Sequence, residues 1–276
     1  MSDVTVSHGA VRPAASGLAR RAGFMSDLTT VARRAVRLAT REPEAILPAL
    51  SIPLFFFIVN IGALQAFVEG NATAGVIDFK AFQLPVAILN AVTGVSRAGS
   101  LVGDIQNGYF DRLLLTPMRR ATLLLGLMIA DFALVCTLCV PVVGLGFALG
   151  VRFETGVLGV AAFILIAGLW GLAFTGFAYA IALKTGNSAA VNSSFLLFFP
   201  FMFLTTAFLP KQALTGWLAT VADYNPVTYL LDAQRHIISS GWDGASMSKA
   251  LLAIGIVGAV SFSLAFATLR GRLKRG

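Results

Sequence analysis

Apolar side chains run along this chain in long unbroken stretches, separated by short polar segments rich in arginine. Six stretches approach or exceed the roughly 20 mostly apolar residues that a helix needs to cross a bilayer core: residues 46–68, 82–102, 123–149, 157–183, 191–209 and 250–269. Strands of a membrane barrel would instead run about ten residues with strict alternation. The pattern predicts an all-α integral membrane protein with six transmembrane helices. The second stretch is the most polar, carrying Gln83, Asn90, Thr93, Ser96 and Arg97. Its Pro85 is expected in the first helical turn, where a missing N–H is tolerated.

The flanks read differently. Residues 1–23 are rich in Ala, Gly, Ser and Arg and predict a disordered tail. Over 24–41, Phe24, Leu28, Val31, Ala35 and Leu38 recur at steps of four and three, with Arg33, Arg37 and Arg41 on the other side. That spacing predicts a basic amphipathic helix lying on the inner leaflet, stopped by Pro43. The six-helix domain then occupies 46–270, and 271–276 form a short basic tail. No apolar stretch with a small-residue cleavage site precedes the first span, so no cleaved signal peptide is expected.

Composition agrees with this picture and excludes others. Of 276 residues 57% are hydrophobic and 12% charged, against about 25% charged in a soluble domain. Too little charge is available to cover a water-soluble surface. The net charge of +8 is explained by topology and not by nucleic acid. With six spans, fifteen Lys and Arg fall on the side of the termini and five on the other, Arg97 lying within a span. Basic loops stay in the cytoplasm, so both termini are expected there, in a multi-pass protein of the cytoplasmic membrane. Gly99/Gly103 and Gly146/Gly150 have the spacing that permits close helix approach.

Most catalytic chemistry is missing. There is no G-x-x-x-x-G-K-[ST] loop to cradle nucleotide phosphates. Of the two histidines, His8 falls in the tail and His236 in an external loop, so neither a metal cluster nor a Ser-His pair is expected. Cys136 and Cys139 lie mid-span and read as packing residues. Arg97 and Asp131 are ionisable groups at span depth, where charge is costly and marks function or pairing. They either face a cytoplasmic vestibule or pin helices together.

Two loops are informative. The first cytoplasmic loop carries Asp104, Gly108, Phe110, Asp111, Arg112, Leu113, Leu114, Thr116 and Pro117. It reads as a short amphipathic helix in which Phe110, Leu113 and Leu114 share a face, Gly108 permits a bend and Thr116-Pro117 ends the element. An apolar knob flanked by charges suits a protein groove. The last external loop, 210–249, is the longest. Leu209, Leu214, Trp217, Leu218 and Val221 form an apolar stripe too short to span, followed by Asn225-Pro226. Two short helices re-entering the outer leaflet before the last span are the expected form.

Together these loops resemble those of the permease subunits of type-2 ABC exporters, which include antibiotic-resistance, lipid and polysaccharide exporters. The family's first loop has the form acidic…Gly-x-φ-[Asp/Glu]-Arg-φ-φ-x-[Thr/Ser]-Pro-φ-x-Arg, where φ is apolar; here it is matched from Asp104 to Arg120. The external pattern is matched by Phe208, Pro210, Leu214, Trp217, Leu218, Asn225, Pro226, Thr228, Tyr229 and Arg235, with Thr215-Gly216 departing from the more usual Leu-Pro. Gly-Tyr-Phe-Asp-Arg at 108–112 looks most like drug-resistance exporters of the daunorubicin type.

The resemblance implies a non-enzymatic transmembrane subunit exporting a hydrophobic or amphipathic drug or lipid. ATP and Mg would be bound by a separate ABC ATPase, and a second permease, identical or homologous, would complete the path. It implies that the segment from Asp104 to Pro117 is the coupling helix docked on the ATPase. The first, second and fifth spans would line the path, with Phe56, Asn60, Asn90, Phe199 and Phe203 as contacts. Other readings are export of a polysaccharide or glycolipid, and ion-coupled secondary transport, for which internal repeats are wanting.

Overall fold

The computed structural model describes residues 43–69, 78–93, 95–114 and 120–273. The amphipathic helix expected over 24–41 and the tail expected over 1–23 lie outside them, as do Thr116 and Pro117. Among the described residues there is helix and no strand. Among the described residues four helical stretches are long and apolar enough to cross a membrane: Phe79–Gln106, Thr122–Ala148, Gly156–Thr185 and Gly244–Arg272.

The first helix, α1 (Pro43–Glu69), packs along α2 (Phe79–Thr93). It buries Phe57 in the core and leaves Ile52, Phe55, Phe56, Ile58 and Val59 exposed. The second predicted span is two helices, α2 and α3 (Ala98–Gln106), with residues 95–97 non-helical between them. Pro85 is interior to α2 and not in its first turn, because the helix begins at Phe79. A proline there removes one ladder bond, and α2 tolerates this at the centre of the bundle, where 13 of its 15 residues are buried. The same position explains its polarity: lipid does not reach it.

α4 (Tyr109–Leu114) follows α3 after a left-handed Gly108, and α5 (Arg120–Ala148) and α6 (Gly156–Thr185) are the long apolar helices. α6 is the hub, packed against α2, α3, α5 and the last helix, α11 (Gly244–Leu273). One close approach needs glycine. A Cβ on Gly176 would lie 2.8 Å from the Ser261 backbone, and the Ser261 hydroxyl donates to the Ala173 carbonyl across that contact. Of the glycine pairs singled out in the sequence, Gly146 packs against Leu84, whereas Gly99 and Gly103 face open space.

The predicted fifth span is broken as well. Its helical pieces are α7 (Ser188–Ser193), a 3₁₀ turn (Ser194–Leu197) and α8 (Phe198–Phe203), ending before 204–209. Pro200 has no N–H to offer the ladder, and the tight turn shortens the segment, so a continuous helix over 191–209 does not form. Helices 50–66 and 188–203 are shorter apolar helices than the four named above.

Side-chain hydrogen bonds tie the helices together at both ends of the bundle. At one end Gln106 Nε2 donates to the Gly186 carbonyl (2.9 Å) and Arg272 to the Leu183 carbonyl (3.3 Å). At the other, Lys80 Nζ donates to the Leu149 carbonyl (3.3 Å) and the Thr155 hydroxyl to the Ile237 carbonyl (2.7 Å).

Candidate functional site

A polar cluster sits at the break in the second span. Asp131, on α5 and 0% exposed, accepts the Tyr179 hydroxyl (2.7 Å), the backbone N–H of Arg97 (3.1 Å) and, at the limit, the Ser96 hydroxyl (3.5 Å). Ser96 Oγ in turn accepts the Ala98 N–H (3.1 Å). Just above, Trp170 Nε1 donates to Thr93 Oγ1 (3.1 Å), whose hydroxyl donates to the Leu89 carbonyl (2.6 Å). The break frees backbone groups from the helix ladder; Asp131 of α5 accepts one of them, and side chains of α6 hold Asp131 and Thr93 in place. Arg97 is itself only 6% exposed. One carboxylate thus ties the start of α3 to α5 and α6.

The turn at Gly108 follows at the other end of α3. Asn107 and Gly108 close α3 by donating to the Gly103 and Ile105 carbonyls (2.9 and 3.2 Å). Gly108 at φ +68° reverses the chain, a conformation glycine adopts without steric cost. Phe110 is 4% exposed and packs with Leu101, Leu124, Leu183 and Leu269. Within the chain the ring is held between spans and anchors the turn, while Arg112 remains exposed. Asp104 is half-buried at the end of α3. The side chains of Asp111, Leu113 and Leu114 lie outside the described residues.

The external motif forms a cap from α9 (Gly216–Tyr224) and α10 (Pro226–Ser239). Asn225 is the N-cap of α10, its Oδ1 accepting the Val227 N–H (3.0 Å), and Pro226 takes the first helical position. The Asn225 amide also donates to the Phe201 and Leu204 carbonyls (2.7 Å each), the loose C-terminal end of α8. Thr228 bonds Thr205 (3.0 Å) and Tyr229 donates to the Asp223 carbonyl (2.5 Å). Arg235 closes the assembly. Its guanidinium lies 3.5 Å over the Phe82 ring and donates to the Phe82 carbonyl (3.2 Å), Thr206 Oγ1 (3.0 Å) and the Thr206 carbonyl (2.8 Å). Lys211 pairs with Asp223 at 2.5 Å, which raises the lysine's pKa; on an exposed surface such a pair contributes little. Pro210 is buried and Phe208 half-buried, stacked on Phe203. Trp217, 70% exposed, points away from the cap.

The path residues are not brought together within one chain. Phe56 is exposed on α1 and Phe199 and Phe203 stack on each other on α8 (5.9 Å between centroids), while Asn60 and Asn90 are half-buried. Sequence reading missed Tyr179, Trp170 and Thr93. Their signal was faint: hydroxyl and indole groups in otherwise apolar runs, where each needs a partner.

Residues 26–239 match the family described as ABC-2 type transporter. The chain is 26% identical over 280 residues to the daunorubicin resistance ABC transporter permease protein of Streptomyces coeruleorubidus, covering 98% of this chain and 92% of that one. It is 24% identical over 223 residues, 79% of each chain, to the "Probable doxorubicin resistance ABC transporter permease protein" of Mycobacterium tuberculosis.

Proposed function

The chain belongs to the ABC-2 type transporter family and is a membrane permease of that kind; from this premise we propose that it exports an amphipathic drug or lipid, driven by a separate ABC ATPase. The observation that carries the reading is the continuity of the cytoplasmic turn with the buried core. α3 runs from the Asp131-capped break to the Gly108 reversal, and Phe110 locks that reversal between spans. A push on the exposed turn from a partner ATPase is therefore delivered to the middle of the bundle through one short helix. The segment from Asp104 to Pro117 is the docking element, with Arg112 offered to the partner.

A second permease, identical or homologous, covers the apolar faces left bare on α1 and α8, and the path runs between the two copies past Phe56, Phe199 and Phe203. Both termini are cytoplasmic. The names of the relatives and the aromatic lining favour a drug-like or lipid cargo over a glycan chain. The test is co-expression with the ATPase encoded nearby. Co-purification, with vanadate-sensitive hydrolysis stimulated by amphipathic drugs or lipids, is the expected result. Failure to associate with any ATPase, together with ion-gradient-driven flux by the chain alone, would overturn it.

A further inference from the structure

The two interrupted spans meet at one polar cavity. It measures about 90 Å³ and is lined on its polar side by Thr93 and Ser96 at the break after α2, Thr175 on α6, and Asn192 and Ser194 where α7 gives way to the 3₁₀ turn. Phe174, Ala178 and Val191 supply apolar wall. One buried water needs only about 10–15 Å³, whereas sites for whole drug-sized molecules take roughly 300–1,000 Å³. The space suits one small ring or head group.

Three of the five polar side chains are already bonded to the protein, but Ser194 is 8% exposed and its hydroxyl has no hydrogen-bond partner among the described residues. The Asn192 amide beside it, exposed at the mouth, is equally unbonded among them. The Ser194 oxygen opens onto the cavity, where it is placed to bond a guest or water. The one carboxylate behind the wall, Asp131, is filled by Tyr179, Arg97 N–H and Ser96. The remaining donors and acceptors are neutral, the chemistry that recognises hydroxyl groups.

We propose that this cavity is a subsite within a single permease chain for the hydroxyl-bearing ring, such as a sugar, of an amphipathic cargo, whose apolar body stays outside in the lipid or the path. This rests on the exporter reading above. Because α3 begins at the same break and packs against α7, an occupant bonding Ser194 bridges the two interrupted spans beside the helix that leads into the turn.

The test uses the full permease with its ATPase in lipid nanodiscs and two fluorescent probes: daunorubicin, which carries a sugar, and its aglycone, which does not. The double variant Asn192→Ala/Ser194→Ala should weaken daunorubicin binding about tenfold, the usual effect of losing two hydrogen bonds, and leave aglycone binding unchanged. Ser193→Ala, whose hydroxyl is turned back onto the Ala189 carbonyl, should change neither. Equal losses for both probes, no loss for either, or no binding of either by the unmodified complex would overturn the subsite. In that last case, retained stimulation of hydrolysis by other amphiphiles would leave the exporter reading standing. Absence of any ATPase complex would overturn both.

Discussion

The Arg235 guanidinium serves three segments at once: it donates from α10 to the Phe82 carbonyl of α2 and twice to Thr206 in the stretch after α8. Only a planar fork reaches both sides, so Arg235→Lys is not conservative. Each charge-assisted bond lost costs about 1.5–3 kcal/mol, and we expect the lysine variant to melt several degrees lower and to lose export. Melting of the detergent-solubilised protein and cellular efflux assays check the two halves of that statement. At Asp131 the order of substitutions is informative. Asp131→Asn keeps one acceptor for Tyr179 or the Arg97 N–H, whereas Asp131→Ala orphans both, at about 1–3 kcal/mol each. Interhelical bonds in membranes average less, about 0.6 kcal/mol, which sets the lower end of the expected loss. Alanine should destabilise clearly more than asparagine in the same melt. Both residues were singled out in the sequence, Asp131 by its depth and Arg235 by its motif. The carbonyls that Arg235 holds and the Tyr179 hydroxyl that Asp131 accepts were not, because neither contact carries a sequence signature.

Among the elements, α10 shows why its motif has the residues it has. Asn225 caps the helix, Pro226 fits the first turn and the Asn225 amide holds the end of α8. Asn225→Ala should cost about 1–2 kcal/mol for the cap alone, and should raise proteolytic cleavage at the external loop. The last span has its own cap: Asp243 accepts the N–H groups of Ala245 and Ser246 and the Ser246 hydroxyl, which holds its pKa below the ordinary carboxylate value. A depressed folded pKa means the cap's contribution is complete above the unfolded value, near 4, and is lost as pH falls through the folded one. Melting temperature should therefore decline more steeply below about pH 4 in the native chain than in Asp243→Ala; parallel acid profiles would contradict the cap. The elements least legible in the sequence were the second and fifth spans. Each reads as one apolar run, yet each is interrupted where polar partners on α5, α6 or α10 satisfy a freed backbone.

For the whole molecule, the proposed coupling turns on α3, which runs from the break at 95–97 to the reversal at Gly108. Asp111→Ala and Arg112→Ala should each reduce cargo-stimulated ATP hydrolysis by the assembled transporter without reducing membrane insertion, measured by membrane-fraction abundance beside hydrolysis. Unchanged transport in both would remove the docking assignment. Phe110→Ala should behave differently, because its ring is buried among Leu101, Leu124, Leu183 and Leu269. It should lower thermal stability by about 3–5 kcal/mol as well as coupling.

Periodicity and composition by themselves determined that this is an all-helical membrane protein with several long apolar helices, since a bilayer admits few solutions for apolar runs of that length. The loop motifs also identified the family, because caps and turns demand particular residue types at fixed spacing. What only the tertiary structure decided was the use made of polar atoms inside the apolar runs. Asp131, Tyr179, Trp170 and Ser194 are scattered over three segments of sequence, and only helix packing brings them to one break and one cavity. The inward turn of Phe110 was decided the same way. An amphipathic turn has two faces, and whether the apolar one meets a partner or its own bundle depends on the space between spans.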